Sequence, residues 1–261
     1  MSNIANNPIQ GVIFDYGGTI DTDAMHWAEV LWGSYQGNQV PVDKESFRQA
    51  YVHGERTLAR EPLVKPTHDF HQVLRLKTGI QMRYLWERGF LTSEEEAARM
   101  AERVADDCHQ VVLHTLERTR PVVTHLATMY PLVLVSNFYG NIQHILRQYG
   151  LSDSFRQVIE SSVVGVRKPD PAIFRLGVEA LGLPASSVLV VGDSFTKDIL
   201  PARSVGCRTV WLKGVGWTQD EGDEHVPDGV IRSLVELPAW MASQQASFSW
   251  NWCFRRSPII L

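Results

Sequence analysis

Four short apolar runs, each ending at a small or polar residue, constrain the fold of this chain most strongly. They lie at residues 11–16, 132–135, 187–191 and 209–212. The apolar residues in each run are nearly continuous rather than alternating, which is typical of strands buried on both faces of a parallel sheet. Helical patterns separate the later runs, and this alternation of strand and helix predicts a doubly wound α/β fold.

Local signals mark the ends of the helices between these strands. One helix is predicted over 171–181, with Asp170 as its N-cap and Gly182 at its exit. Another is predicted over 196–204 and is closed by Gly206. Glycine is favoured at these exits because the chain there adopts a left-handed conformation.

The stretch from residue 22 to residue 118 has helical periodicity and few strand-like runs. Its clearest helix begins after Thr92-Ser93, and Glu95 and Glu96 follow at capping-box spacing. A helical insert of this length can form a small domain of its own. We therefore predict a Rossmann-like core at 1–21 and 119–245, an inserted α-helical cap at 22–118, and a C-terminal tail at 246–261.

The composition excludes several classes of protein. The 261 residues are 44% hydrophobic, which supports a sizeable core and argues against wholesale disorder. The formal net charge is -4 and no basic run is present, so we expect no nucleic-acid partner. No apolar stretch approaches about 18 residues, so we expect no membrane partner. Three widely spaced cysteines and a polar N-terminus favour the cytoplasm, and the sequence leaves the oligomeric state open.

Chemically reactive side chains lie at the predicted carboxyl ends of the strands. Since ligands of open α/β sheets bind beyond these ends, we expect the side chains to surround one crevice. They are Asp15 after the first strand, Ser136-Asn137 after the second, Lys168 before the helix at 171–181, and Asp193 with Asp198 after the third.

This set of side chains suits phosphoryl transfer. A carboxylate that attacks an anionic phosphate is repelled unless the charge is neutralised. Mg²⁺ held by carboxylates provides that neutralisation, and a lysine adds a further positive charge. A serine hydroxyl can donate a hydrogen bond to a phosphoryl oxygen. Asp15 is then able to act as the nucleophile and form an aspartyl phosphate.

In this order, these residues resemble the four motifs of the haloacid-dehalogenase superfamily of hydrolases, most of whose members are Mg²⁺-dependent phosphatases. The motifs are Asp15 with Gly18-Thr19, Ser136, Lys168 in RKPDP, and Gly192-Asp193 with Asp198. The long insert resembles the helical cap of the subgroup that carries its cap between the first and second motifs. The resemblance implies a hydrolase that acts on a small phosphorylated metabolite.

The resemblance also implies a role for individual residues. Asp15 would be the nucleophile, and Ser136 and Lys168 would hold the phosphoryl oxygens. Asp15, the backbone carbonyl of Gly17 and Asp193 would hold Mg²⁺. The remaining expected contacts are Asp198 as an outer or occasional metal ligand, and Gly18, Thr19 and Asn137 as substrate-binding residues.

Gly17 departs from the pattern of the family. The phosphatases carry a second aspartate at this position, and it protonates the leaving group and then activates water. Glycine does neither, and this proton transfer is worth about 10² to 10⁴ in rate. Either another group replaces the acid, or the substrate has a good leaving group, or the reaction is not phosphate-ester hydrolysis. The candidate replacements are Asp21, Asp23 and His26, but we favour a structural role for each: a turn or N-cap for the two aspartates and an exposed helix position for the histidine.

A reaction other than phosphate-ester hydrolysis has a precedent in this family. Some of its members cleave phosphonates and use a cap lysine that forms a Schiff base with the substrate. Lys44, Lys65 and Lys77 lie in the insert, and the residues before Lys65 loosely resemble those around that lysine. A second alternative is a catalytically impaired protein that keeps the site and serves as a binding or regulatory module.

Several other residues have structural interpretations that we favour. We expect the cap histidines to lie at the surface and the cap tryptophans to pack in its core. We expect residues 215–217 to lie near the crevice entrance. These candidates are His53, His68 and His71, Trp27, Trp32 and Trp86, and Val215-Gly216-Trp217.

Overall fold

The computed structural model describes residues 7–214 and 222–244. The predicted entrance segment Val215-Gly216-Trp217 and the predicted tail at 246–261 lie outside the described residues. Among the residues it does describe, no helix combines the length and the apolar content that crossing a membrane requires.

The described residues form a six-stranded parallel sheet with the order β3-β2-β1-β4-β5-β6. The predicted doubly wound α/β fold is therefore confirmed. The strands are β1 (Gly11–Phe14), β2 (Leu132–Ser136), β3 (Gln157–Glu160), β4 (Val188–Gly192), β5 (Arg208–Leu212) and β6 (Gly229–Ile231).

Successive residues of the central strands enter two different apolar clusters, one on each side of the sheet. On β1, Phe14 belongs to one cluster and Ile13 to the other, and both side chains are fully buried. On β2, Leu134 and Val133 divide in the same way. This burial on both faces explains why the strands read as continuous apolar runs in the sequence.

Helices cover the sheet and form the insert between β1 and β2. The insert holds α1 (Trp27–Gly37), α2 (Lys44–Arg60), α3 (Phe70–Trp86) and most of α4 (Glu94–Ala127). The later helices are α5 (Ile142–Gln148), α6 (Ser161–Val164), α7 (Ala172–Leu181) and α8 (Leu200–Val205).

Helix α4 joins the insert to the core. It begins where the capping signal predicts: the Ser93 Oγ accepts a hydrogen bond from the Glu96 backbone N–H. The Glu96 carboxylate accepts from the backbone N–H of Thr92, one residue earlier than a standard capping box requires. The helix continues through the predicted boundary at residue 118 to Ala127, so its last turns lie beyond the predicted cap. The division into cap and core stays a prediction.

Two strands, β3 and β6, were not predicted from the sequence, and one helix was predicted incorrectly. Strand β3 begins with an exposed glutamine, and β6 has only three residues, so neither shows a long apolar run. The helix predicted over 196–204 is a π-helical turn at Phe195–Ile199 followed by α8. Pro201 explains the break because it has no N–H with which to continue the first turn. Gly182 and Gly206 close their helices in the left-handed conformation, as predicted.

Candidate active site

The predicted site residues converge at the carboxyl edge of the sheet. Asp15 follows β1, Ser136 ends β2 and Asp193 follows β4. Together with Lys168 and Asp198, they line one cavity of about 590 Å³ that cap helices α2 and α3 also line. The expectation of a single crevice is confirmed by this arrangement.

Lys168 forms the most buried contacts of the site. Its Nζ lies 2.5 Å from Asp15 Oδ1 and 2.6 Å from Asp198 Oδ1. All three side chains are almost fully buried. The two carboxylates raise the pKa of Lys168 despite the opposing effect of burial, so the group is an ammonium ion at neutral pH. Asp198 is fixed from its other oxygen, which accepts from the Ser194 N–H at 3.0 Å.

Thr19 connects the first strand to the fourth. Its Oγ1 lies 3.3 Å from Asp15 Oδ2 and 3.3 Å from Asp193 Oδ1, and it accepts a hydrogen bond from the Asp193 N–H at 3.1 Å. The Trp211 indole N–H donates to the Asp193 carbonyl at 2.8 Å. The Thr19 hydroxyl thus orients these two carboxylates, and its predicted contact with substrate stays a prediction.

Asn137 and Gly18 also make internal contacts. The side chain of Asn137 pairs with the backbone of Lys168: its Nδ2 donates to the Lys168 carbonyl and its Oδ1 accepts from the Lys168 N–H. The Gly18 N–H donates to Asp21 Oδ1 at 2.7 Å. Gly18 adopts a φ of 92°, and a Cβ at this position would clash with the Asp193 carboxylate. The predicted substrate contacts of Asn137 and Gly18 stay predictions.

The three carboxylates at this edge are close enough to share one cation. One oxygen from each of Asp15, Asp193 and Asp198 lies within 4.8 Å of the others. Three carboxylates and one ammonium leave two negative charges in a largely buried site. Desolvation, together with the charges of Asp15 and Asp198, raises the pKa of Asp193 well above its usual range. A hard divalent cation with oxygen ligands suits this set of donors.

Comparison with known proteins agrees with this geometry. The profile of the haloacid dehalogenase-like hydrolases matches residues 9–206. The chain belongs to this family. Most of the chain is matched, and the matched part contains every predicted catalytic and metal-binding residue.

Two curated relatives of this chain illustrate the range of the family. It is 42% identical to haloacid dehalogenase-like hydrolase domain-containing protein 3 of Danio rerio over 41% of the chain and 43% of that protein. It is 29% identical to the phosphoglycolate phosphatase of Neisseria gonorrhoeae over 59% of the chain and 63% of that protein. Each match therefore spans less than two thirds of the relative.

A solved structure supports the fold over a longer stretch. The HAD-hydrolase YfnB of Bacillus subtilis, solved with bound magnesium, covers 90% of this chain and 99% of its own, with a TM-score of 0.57 and 20% sequence identity. At this identity, the likeness establishes the fold alone.

Gly17 is the point at which this chain departs from the family pattern, and the structure leaves room for a Cβ there. The residue lines the cavity. A Cβ at this position would meet only the Trp27 ring within 4 Å, with its nearest atoms at 3.9 Å. The glycine is therefore not required by local packing, in contrast to Gly18.

The three candidate replacements for the missing acid occupy different places. Asp23 points away from the cavity: its carboxylate accepts from Ser233 Oγ and from the Leu234 N–H. His26 lines the cavity, but burial lowers its pKa to about 4. Its Nδ1 accepts from the Ala28 N–H at the start of α1. A neutral imidazole of this kind is a weak proton donor.

Asp21 lies behind the nucleophile loop and is fully buried. Its second oxygen accepts from the Trp27 indole N–H at 3.0 Å, so it ties the loop to the first cap helix. Burial raises the pKa of Asp21 to about 7, and the hydrogen bonds from Gly18 and Trp27 only partly offset this effect. Neither oxygen is directed at the cavity, which Asp21 does not line.

The raised pKa of Asp21 predicts a pH dependence of stability. The folded state binds this proton more tightly than the unfolded state, so the contribution is complete below about pH 4 and is lost as pH rises through 7. We expect the native protein to lose about 3 kcal/mol of unfolding free energy between pH 5 and pH 8 from this group. Urea unfolding at a series of pH values should show a flatter profile for Asp21→Asn. Parallel profiles for the two proteins would contradict this assignment.

The lysines of the cap do not present a free amine to the nucleophile. Lys44 pairs with Glu29 at the surface, and Lys65 is exposed and does not line the cavity. Lys77 does line it, but its Nζ lies 2.8 Å from Glu55 Oε1, and the neighbouring charges raise its pKa well above the usual range. A protonated and paired lysine is a poor Schiff-base nucleophile.

The other cap candidates mostly have the structural roles expected of them. The His53 ring packs against the Tyr84 ring at an interplanar angle of 33°, and His71 Nε2 lies 2.7 Å from Asp106 Oδ1. Trp32 and Trp86 pack against the apolar core, whereas Trp27 also lines the cavity. Sequence reasoning missed the partners Glu55, Tyr139 and Trp211, because no local pattern connects them to the motif residues.

Proposed function

We propose that this chain is a Mg²⁺-dependent phosphatase that hydrolyses a small phosphorylated metabolite through an aspartyl-phosphate intermediate. The observation that carries the proposal is the position of Asp15 in the described site: it is nearly buried, salt-bridged to Lys168, and beside two further carboxylates. A phosphoryl group that enters here meets a nucleophile and positive charge together.

The donor set fits a magnesium ion. Asp15, Asp193 and the backbone carbonyl of Gly17 would hold it, with Asp198 as an outer ligand. When bound, Mg²⁺ neutralises charge on the phosphoryl oxygens and so lowers the barrier to anionic attack. Asp198 also helps to hold Lys168 in place, because its Oδ1 accepts a hydrogen bond from the Lys168 Nζ.

The reaction assigned to these residues has two displacements at phosphorus. The Asp15 oxygen attacks phosphorus while the bond to the leaving oxygen breaks, and Ser136 and Lys168 stabilise the charge on the phosphoryl oxygens. Water then attacks the same phosphorus atom, and the Asp15 carboxylate is released together with inorganic phosphate. Thr19 and Asn137 act indirectly, since they fix the orientation of Asp15 and Lys168.

None of the candidate acids is suited to donate a proton to the leaving group. Gly17 has no side chain to donate a proton, and neither Asp21 nor Asp23 is directed at the cavity. A leaving group with a low pKa needs no such proton. We therefore infer that acyl phosphates are hydrolysed faster than alkyl phosphates of similar size.

Metal removal is the direct test of the proposed function. We expect the purified chain to release phosphate from a panel of acyl and alkyl phosphates in the presence of Mg²⁺. The rate should fall to background with excess EDTA and return when Mg²⁺ is added in excess of the chelator, because the two uncompensated negative charges repel the substrate without the ion.

Two other outcomes of this panel would favour a different function for the chain. Release of phosphate from a phosphonate, with a borohydride-trapped adduct on a lysine, would favour phosphonate cleavage over the proposed reaction. Absence of turnover on every compound, together with unimpaired Mg²⁺ binding, would contradict the proposal and favour a binding or regulatory module.

A further inference from the structure

A partly buried ion pair lines the same cavity on the side formed by the cap helices. Lys77 on α3 lies 2.8 Å from Glu55 on α2. The Lys77 side chain is 9% exposed and that of Glu55 is 35% exposed. The Lys77 Nζ also lies 5.8 Å from the centroid of the Trp27 ring. The reaction assigned to Asp15 and Lys168 makes no use of this pair.

The pair is connected to the core through Tyr139. The Tyr139 hydroxyl donates to Glu55 Oε2 at 3.4 Å, and its ring centroid lies 5.8 Å from the Lys77 Nζ. Tyr139 follows β2 by three residues and so belongs to the loop that begins at Ser136. The ion pair therefore faces the loop that carries a predicted phosphate ligand, and all of these residues line one cavity.

The charges of Lys77 and Glu55 cancel. Apart from the carboxylates of the site, Lys168 and this ion pair, the charged side chains that line the cavity are exposed, so solvent and salt screen them. These are Arg60, Glu61, Arg167 and Lys197. The cap end of the cavity thus offers ammonium donors and a carboxylate acceptor, with no net charge.

We propose that Lys77 and Glu55 bind the leaving group of the substrate, whether alkyl or acyl, and favour a leaving group with uncharged hydroxyls over one that carries a carboxylate. The inference rests on the proposed phosphatase function. A hydroxyl can accept a hydrogen bond from Lys77 and donate one to Glu55 at the same time. A leaving group that carries a carboxylate gains from Lys77 but is repelled by Glu55 at a similar distance, so it gains no net attraction.

Charge-changing variants test this selection. The readout is the ratio of kcat/KM for glycerol 3-phosphate to that for 2-phosphoglycolate, whose leaving group is anionic. We expect Glu55→Gln to shift the ratio about tenfold toward 2-phosphoglycolate, and Lys77→Met to shift it about tenfold in the opposite direction. The double variant should return close to the native ratio, because the site is again neutral.

The controls separate selection from structural damage. Glu61→Gln removes an exposed carboxylate at the cavity rim and should leave the ratio unchanged. Glu55→Gln keeps an oxygen that can accept from Tyr139, and the side chain at this position is partly exposed, so we expect this variant to fold. If Lys77→Met does not fold, Glu55→Gln is sufficient to test the proposal. A ratio that stays within twofold of native in Glu55→Gln would overturn the proposal.

Binding distinguishes failure of this proposal from failure of the proposed function. Calorimetric titration of Asp15→Asn with the same two esters needs no turnover, and Glu55→Gln in that background should shift the ratio of Kd values in the same direction. Absence of turnover by the native chain, with this shift present, would contradict the phosphatase function alone. Turnover without any shift in selectivity would contradict the role of the ion pair alone.

Discussion

Asp15→Asn is expected to lower kcat for every phosphate ester by roughly 10⁴-fold or more. The amide oxygen is a poor nucleophile, so no aspartyl phosphate forms, and only substrate binding and charge stabilisation remain. Phosphate release at saturating substrate measures the effect. Asp43→Asn is the matched control, since this exposed aspartate caps α2 and asparagine caps a helix equally well.

The loss should come from chemistry and not from unfolding. Lys168 keeps Asp198 as an anionic partner at 2.6 Å. The one side-chain oxygen of asparagine can still accept from Lys168 in place of Asp15 Oδ1, and the amide N–H can donate to the Thr19 hydroxyl in place of Oδ2. A melting temperature close to that of the native protein would support this view. Activity within tenfold of the native value would show that Asp15 is not the nucleophile.

The covalent intermediate gives an independent readout of the same assignment. Acid quenching during turnover should leave a phosphoryl group on the peptide that contains Asp15 in the native protein and none in the variant. In a single turnover in ¹⁸O-labelled water, the label should enter phosphate, because water attacks phosphorus. If the label entered the Asp15 carboxyl group instead, water would have attacked the carboxyl carbon of the covalent aspartyl intermediate.

The sequence predicted the elements of the site because these depend on local patterns and on one general property of parallel sheets. Strands buried on both faces are continuous apolar runs, and their carboxyl ends meet at one edge. Asp15, Ser136 and Asp193 could therefore be placed in one crevice without any knowledge of their contacts. The helix exits at Gly182 and Gly206 were predictable for a similar reason, since a left-handed residue favours glycine.

The contacts within the site could not be predicted, because they join residues that are distant in the sequence. The pairing of Lys77 with Glu55 depends on how two cap helices pack, and no periodicity encodes it. Asp23 illustrates the same limit: a structural role as a turn or N-cap residue was favoured for it, but its partner Leu234, 211 residues away, could not be predicted. The contacts by which Thr19 and Asn137 orient other site residues were likewise not predicted, and their predicted contacts with substrate stay predictions.

Gly17→Asp is expected to raise kcat/KM for alkyl phosphates by about 10² to 10⁴, with a much smaller gain for acyl phosphates. An alkoxide is a poor leaving group without a proton, whereas an acyl phosphate releases a stable carboxylate. Initial rates on one alkyl and one acyl phosphate, with saturating Mg²⁺, measure the difference. Equal or lower rates on both substrates would contradict the view that the missing acid limits turnover.

The structure explains why this substitution is accommodated and how it would act. The new Cβ meets only the Trp27 ring, at 3.9 Å, so the loop does not have to move. The carboxylates of Asp15 and Asp193 would raise the pKa of the added group by like-charge repulsion, which keeps part of it protonated near neutral pH. Gly17→Asn is the matched control, because it adds almost the same volume without a titratable proton. A gain in Gly17→Asp that Gly17→Asn does not share therefore measures proton transfer, and an equal gain in both would assign the effect to packing against Trp27.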